Sequence, residues 1–351
     1  MKTLGVSMIV RNESECIIPC LESIKGADEI VICDTGSEDN TVEICKRYTS
    51  KVYTDYTWND NFAEARNHSL DKCTADWILI IDADEQLKDS IDSIKRLINS
   101  GSMSKQIEGY NIKYLGMIFI TNTKTETVSQ MRVIKNDPKI RWIYPVHNVL
   151  AYNGSPHELR KQCYNSHFEI TSGYSPAHLR DPDRSLRILT KHTALEPDNS
   201  DYMYYLAREY IVRKMRSALD KDKESEYLDN IIYWLEKSTA ISYYKAWTPI
   251  TAEALYCLAL GYIEKLTETK DEKYWYDAMA TAAKSIVVLP SFQAPLDFLA
   301  ISMMELPGRA KFVPAALSWK SIADRATNVD VVFKRPRTKY SINDGKLIIY
   351  K

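Results

Sequence analysis

The chain has little glycine, lacks long apolar runs, and carries almost equal numbers of positive and negative charges. Only 11 of 351 residues are Gly, which disfavours a turn-rich all-β protein because tight turns depend on glycine. No apolar run reaches the roughly 18 residues that a membrane-spanning helix needs. The 46 Lys and Arg residues balance 47 Asp and Glu residues, which argues against a protein that coats nucleic acid with a broad basic surface.

The N-terminus and the cysteines indicate a cytoplasmic protein. The first short apolar run meets charged residues and lacks a small-residue cleavage site, so it does not resemble a signal peptide. The seven cysteines are an odd number in a long chain, which predicts reduced thiols and not a disulfide framework.

Residues 1–170 alternate short apolar strands with helical segments, a pattern typical of a parallel α/β sheet. The strands are continuous Val, Ile and Leu runs, as expected for strands buried on both faces. The predicted parallel strands are Leu4–Val10, Glu29–Cys33, Val52–Thr54 and Trp77–Ile81. Later strands over Tyr110–Thr121 and Val128–Lys135 are expected to be antiparallel.

From about Arg184 onward, segments with helical spacing follow one another without strands. Prolines recur at some of the joins, which predicts either a degenerate helical-hairpin repeat similar to tetratricopeptide repeats or a plain helical bundle. The charged segment Lys221–Glu226 is predicted as an inter-helix loop. We therefore expect an α/β domain over residues 1–170, a helical domain over 171–338, and a terminal hairpin over 339–351.

Polar clusters follow three of the predicted strands. Arg11–Glu15 follows the first strand, Asp34–Thr41 follows the second, and Asp82-Ala83-Asp84-Glu85 follows the fourth. Because ligands of open α/β sheets bind beyond the carboxyl ends of the strands, these clusters are expected to converge on one ligand.

The third cluster has three possible explanations, of which the first is a cation site. Asp82 and Asp84 repel each other unless a cation lies between them, and Mg²⁺ or Mn²⁺ with a diphosphate would supply it. The carboxylates are also compatible with an exposed helix N-terminus, where they favour the helix dipole. A third interpretation is that the two aspartates are the acid/base pair of a hydrolase. The polar turns at the other strand ends disfavour this interpretation.

Taken together, four segments resemble family 2 glycosyltransferases, which have a Rossmann-like GT-A fold. The matching segments appear in the family's order and are Ser7–Glu15, Ile30–Thr41, Phe62–Leu70 and Trp77–Leu87. Gln130–Asn136 resembles the Arg-containing strand of the same family, and Ile143–Asn148 resembles a segment in which many members have a His-Glu pair.

The resemblance implies roles for individual residues. It places six of them at the donor nucleotide: Val10, Arg11, Glu13, Asp34, Arg66 and Asp82. Asp34 would contact the uracil or ribose, and Asp82 with Asp84 would form the D-x-D motif that meets the ribose and a metal ion on the diphosphate. Asp84 and His147 would be ligands of that Mn²⁺ or Mg²⁺.

Asn148 stands where relatives often have Glu, so the base that takes the acceptor's proton is expected at another position. Glu85, next to Asp84, is the first candidate for a catalytic carboxylate. Glu126 and Asp137 are competing candidates.

The resemblance implies a metal-dependent inverting glycosyltransferase with a UDP-sugar donor and a peptide, protein or surface-glycan acceptor. The helical half is then expected to shape the acceptor site or to form a homodimer. One alternative is a phage-type transferase acting on a hydroxymethylated base in DNA, suggested by stacking of bases on the Tyr-rich helices and by the basic stretch 334–339. Another is a non-catalytic helical-repeat scaffold.

Overall fold

The computed structural model describes residues 1–107, 110–123, 127–173, 181–216, 221–245, 249–304, 339–343 and 346–350. The chain divides into two compact units, Met1–Ile188 and Leu189–Lys351.

The first unit is built around strands that follow the predicted order. Its strands are β1 Leu4–Val10, β2 Glu29–Asp34, β3 Val52–Tyr53, β4 Trp77–Ile80, β5 Glu85–Leu87, β6 Ser104–Ile107, β7 Tyr110–Lys113, β8 Gly116–Asn122, β9 Thr127–Lys135, β10 Ile140–Ile143, β11 Val149–Tyr152 and β12 Cys163–Ser172. Its helices are α1 Ile17–Ser23, α2 Thr41–Cys45, α3 Phe62–Asp71, α4 Ile91–Asn99 and α5 Pro156–Lys161. The long segment predicted over Tyr110–Thr121 is divided between β7 and β8.

Eight strands form one mixed sheet in the order β3-β2-β1-β4-β9-β8-β12-β5. The strands β3, β2, β1 and β4 are parallel, whereas β9 runs antiparallel to both β4 and β8. The α/β class predicted for this part of the chain is therefore confirmed. Two hairpins, β6–β7 and β10–β11, stand outside the large sheet.

Apolar layers cover both faces of this sheet. Side chains of β1 such as Leu4 and Met8 pack on one face with α1 and α4, and are at most 1% exposed. Ile78 and Ile80 of β4 pack on the other face with α3 and the β10–β11 hairpin. Burial on both faces explains why these strands are continuous apolar runs.

The second unit consists mainly of helices in its described part. Its helices are α6 Arg184–Leu195, which begins in the first unit, α7 Ser200–Arg216, α8 Lys221–Lys245, α9 Pro249–Thr269, α10 Lys273–Val288 and α11 Gln293–Met304. From α7 to α11, each helix packs against the next one along the chain. None of the described helices is long and apolar enough to cross a membrane.

One local prediction in this unit is wrong. Lys221–Glu226 does not form a loop but the first turns of α8. Lys and Glu are strong helix formers, so a charged composition does not by itself distinguish a loop from an exposed helix. Near the end of the chain, β13 Lys339–Asn343 pairs antiparallel with β14 Lys346–Tyr350, and the intervening residues 344–345 lie outside the described ranges.

Candidate nucleotide-binding site

The register of the parallel strands brings the three polar clusters to one edge of the sheet. Val10 at the end of β1 is paired with Asp34 at the end of β2. Ile80 at the end of β4 is paired with Ser7 of β1, so Asp82 follows at the same edge. The convergence expected from the sequence is therefore present in the backbone.

Hydrogen bonds connect the polar cluster after β1 to the polar cluster after β2. The Asn12 N–H donates to the Ser37 hydroxyl at 2.9 Å, and the Asn12 side-chain oxygen accepts from the Glu38 N–H at 2.7 Å. Asn12 has a φ of 56°, in the left-handed region that Asn tolerates better than most residues. The loop after β1 is thus fixed to the loop after β2 by a reciprocal contact.

A second pair of contacts strengthens this junction. The Glu13 N–H donates to the Thr41 hydroxyl at 2.7 Å, and the Ser14 N–H donates to the Asp39 carboxylate at 3.2 Å. Asp39 also accepts from the Thr41 N–H at 2.9 Å. Although partial burial raises the pKa of Asp39, the hydrogen bonds from Ser14 and Thr41 lower it to about 2.

Asp34 is buried, with 5% exposure, and organises its own turn. Its carboxylate accepts the Gly36 N–H at 3.1 Å and the Ser37 N–H at 3.0 Å. Gly36 has a φ of 106°, a conformation that strongly favours glycine. This arrangement is an Asx turn, which places a carboxylate at the strand end.

Arg66 reaches the D-x-D turn from α3. Its Nη2 donates to Asp82 Oδ1 at 2.8 Å, and its guanidinium lies 4.9 Å from the centre of the Trp142 ring. Asn67 holds the Trp142 backbone by two hydrogen bonds of 2.9 Å, accepting its N–H and donating to its carbonyl. Trp142 and Asn67 were not identified from the sequence, although Asn67 lies within one of the matching segments.

The start of α3 explains why Arg66 is placed there. The Asn61 side chain caps the helix by accepting the Glu64 N–H at 3.2 Å, and its amide nitrogen donates to the Glu64 carboxylate at 2.9 Å. The Phe62 N–H donates to the Pro145 carbonyl at 2.8 Å. The helix is therefore tied to the loop between β10 and β11.

That loop carries His147 and shows backbone strain. Tyr144 and His147 have φ values of 70° and 52°. Left-handed conformations of residues other than glycine are costly and are concentrated at functional sites. His147 is exposed and the neighbouring Asn148 is partly exposed.

The two carboxylates of the D-x-D turn are partly exposed, whereas the carboxylate that follows them is buried. Asp82 and Asp84 are partly exposed, whereas Glu85 is only 3% exposed. Burial, and then the charge of Asp82, raise the pKa of the Glu85 carboxyl, although the adjacent Arg132 guanidinium opposes them. The Cys20 thiol donates to the Asp82 carbonyl at 3.3 Å.

Asp137, one of the other candidate carboxylates, lies away from the D-x-D turn. Asp137 follows β9, whose end is paired with the beginning of β4, so Asp137 lies at the opposite edge of the sheet from Asp82. Glu126 and the basic stretch 334–338 lie outside the described residues.

In the part of the chain that the structure describes, no group of three or more His, Cys, Asp and Glu side chains is placed to hold a metal ion. The D-x-D turn therefore fits a metal only when further ligands come from elsewhere. Arg66 Nε, buried beside the turn, has no hydrogen-bond partner among the described residues.

The sequence that forms these strand ends is similar to that of a known family. Residues 6–100 match the family model described as Glycosyl transferase family 2. This part of the first unit is therefore similar in sequence to family 2 glycosyltransferases.

Two curated proteins illustrate the similarity. The SPbeta prophage-derived glycosyltransferase SunS of Bacillus subtilis is 28% identical over 241 residues, which cover 66% of this chain and 53% of SunS. A TPR repeat-containing protein of Synechococcus elongatus is 44% identical over 89 residues, covering 25% of this chain and 22% of that protein. The chain thus spans about half the length of SunS and about a fifth of the second relative.

Among solved structures, the chain is similar to S. aureus TarS 1–349 in complex with UDP-GlcNAc. The TM-score is 0.39 and the sequence identity is 14%, and the match covers 100% of this chain and 97% of the TarS chain.

Proposed function

We propose that this protein transfers a sugar from a UDP-sugar donor to a macromolecular acceptor. The observation that carries the proposal is the junction of the three strand-end loops at one edge of the sheet. Asn12, Thr41 and Asp39 fix the first two loops to each other, and Arg66 fixes the third loop to α3. Such a preformed polar edge suits a nucleotide, since ligands of α/β sheets bind there.

The nucleoside half of the donor would lie on the first two loops. Val10, Arg11 and Glu13 line the first loop, and Asp34 lies at the neighbouring strand end. A carboxylate offers about four acceptor sites, so Asp34 keeps acceptor capacity beyond the N–H groups of its own turn. An acceptor at this point suits the N–H of uracil or a ribose hydroxyl.

Arg66 would contact the base or a phosphate of the donor. Its guanidinium is held between the Asp82 carboxylate and the Trp142 ring, and its Nε is buried. A planar guanidinium with several donors suits an anionic group better than a lysine does. Asp82 would then contact the ribose while continuing to orient Arg66.

A divalent cation would complete the diphosphate end. Mg²⁺ is usually bound through one or two carboxylates together with substrate phosphates, so the lack of a three-ligand cluster in the described residues is compatible with this role. Asp84 and His147 are the proposed protein ligands. When bound, Mn²⁺ or Mg²⁺ acts as a Lewis acid that stabilises the departing diphosphate.

We propose a single displacement with inversion at the anomeric carbon, in which the bond to the sugar passes from diphosphate to acceptor. A carboxylate would accept the acceptor's proton. Asp84 is partly exposed and would contact the donor as a ligand of the cation, whereas Glu85 is enclosed and is less accessible to an acceptor.

Isothermal titration of the full chain with UDP and Mn²⁺ tests the donor site. We expect UDP to bind, GDP to bind more weakly, and the Asp84→Asn variant to lose at least about tenfold in UDP affinity, equivalent to 1.4 kcal/mol. Asp92→Asn, at an exposed position in α4, is the matched control. Absence of UDP binding, or full binding by Asp84→Asn, would contradict the proposed donor site.

The acceptor can be identified separately. Mass spectrometry of peptides, proteins and surface glycans from cells with and without the active protein should show an added hexose or pentose. The Asp84→Asn variant should abolish that mass increase, whereas Asp92→Asn should not.

A further inference from the structure

A buried ion pair supports the D-x-D turn from inside the sheet. Arg132 of β9 donates from Nη1 to Glu85 Oε2 at 2.9 Å and from Nη2 to Glu85 Oε1 at 2.5 Å. The two side chains are 9% and 5% exposed. This two-point geometry fixes the orientation of both groups, because the guanidinium and the carboxylate are planar.

The same carboxylate holds the first residue of the motif. Glu85 Oε2 also accepts the Asp82 N–H at 2.9 Å. Arg132 therefore acts on the Asp82 backbone through Glu85. A displacement of the Arg132 guanidinium would be passed to the turn that presents the two aspartates.

A glycine supports the turn from a second direction. The Gly173 N–H donates to the Asp84 carbonyl at 2.7 Å, just beyond the pairing of Ser172 with Glu85. A Cβ atom at position 173 would lie 2.4 Å from that carbonyl oxygen. Because the obstructing atom belongs to the backbone, a larger residue would have to move the turn.

We propose that Arg132, Glu85 and Gly173 are positioning residues that orient Asp82 and Asp84 toward the donor, an inference that rests on the proposed function. A buried ion pair usually stabilises a fold no more than apolar residues of similar volume would, because both charges lose their hydration on burial. The contribution of the Glu85–Arg132 pair to stability therefore does not explain its presence. Its constraint on the geometry of the D-x-D turn does. Glu85 then acts through Asp82 and is not the base.

Titration of full-chain variants with UDP and Mn²⁺ tests this role. Arg132→Lys retains the charge but loses the two-point contact, and Gly173→Ala introduces the backbone obstruction. We expect each to bind UDP at least about tenfold more weakly, which corresponds to 1.4 kcal/mol.

Glu29→Gln is the matched control for loss of a buried carboxylate. Glu29 is 9% exposed, pairs with Lys51, and accepts the N–H groups of Thr74 and Ala75. It lies at the beginning of β2, at the edge of the sheet opposite the site. This variant should melt at a lower temperature while keeping its UDP affinity.

The double variant Glu85→Met/Arg132→Met separates positioning from folding. Replacing a buried ion pair with apolar residues of similar volume is often neutral or stabilising, so this protein should remain folded and still lose UDP affinity. The Glu85→Gln variant distinguishes a base from a positioning residue. If Glu85 is the base, the variant should lose sugar transfer and keep its UDP affinity. If Glu85 is a positioning residue, the variant should bind UDP more weakly.

The outcomes separate this inference from the proposed function. Normal UDP affinity in folded Arg132→Lys and in the double methionine variant would overturn the positioning role alone. Failure of the wild-type chain to bind UDP would overturn the proposed function and the positioning role with it.

Discussion

The guanidinium of Arg66 donates to the carboxylate of Asp82 at 2.8 Å, joining α3 to the D-x-D turn. The Arg66 side chain is 15% exposed and that of Asp82 is 38% exposed, so the pair is enclosed on the arginine side and open on the aspartate side. An ion pair that leaves one carboxylate accessible is suited to receiving a polar ligand.

The first prediction concerns Arg66. Arg66→Lys should weaken UDP binding about tenfold, because lysine keeps the charge but loses the planar contact with Trp142 and the multiple donors. Titration calorimetry measures the effect. Arg141→Lys is the control, since Arg141 forms a partly exposed pair with Asp71; an equal loss in both variants would contradict the assignment.

The second prediction concerns Asn67. Removing its side chain leaves the Trp142 N–H and carbonyl without their partner, so Asn67→Ala should lower the free energy of unfolding by about 1–3 kcal/mol. Urea unfolding measures this change. Asn230→Ala removes one exposed bond to the Glu226 carbonyl and should change stability by no more than about 0.5 kcal/mol.

The third prediction concerns pH. The folded state lowers the pKa of Asp39 to about 2, so its carboxylate stabilises the fold above its ordinary pKa. That stabilisation is lost as pH falls through the folded value. Asp39→Asn should cost about 1 kcal/mol at pH 7 after allowance for solvent screening.

Urea unfolding measures the free energy of unfolding of wild type and Asp39→Asn. The difference between the two values should become smaller as the pH falls from about 4 toward about 2. A difference that stays constant over this range would show that the Asp39 charge does not fix the two loops. Asp92→Asn again serves as an exposed control.

The fourth prediction compares two tyrosines of the helical unit. The Tyr204 hydroxyl is buried without a hydrogen-bond partner among the described residues, so Tyr204→Phe should leave stability unchanged or raise it by up to about 1 kcal/mol. The Tyr262 hydroxyl donates to Glu236 at 2.7 Å, and Tyr262→Phe should cost about 1–3 kcal/mol. Thermal unfolding measures both, and a larger loss for Tyr204→Phe would reverse the expected order.

Much of the first unit was predictable because its signals are local. The predicted bounds of β1 are those observed, and β2 and β4 each differ by one residue at one end. Continuous apolar runs reveal strands buried on both faces. Since carboxyl ends of parallel strands meet at one edge, the sequence also predicted that Asp34 and Asp82 would lie near each other.

The supporting contacts were not predictable in the same way. Glu85 and Arg132 are 47 positions apart, and their pairing depends on which strands are neighbours and on their register. Gly173 gave no turn signal, because its importance comes from the nearby Asp84 carbonyl and not from its own backbone angles.

The sequence by itself therefore determined the α/β character of the first unit, the helical character of the second, and the order of the polar loops. These properties follow from hydrophobic periodicity and from the position of polar residues after strands. Only the tertiary structure decided that Glu85 faces Arg132 and that Trp142 lies against Arg66. Contacts between distant segments depend on strand order, register and close packing, which local patterns do not encode.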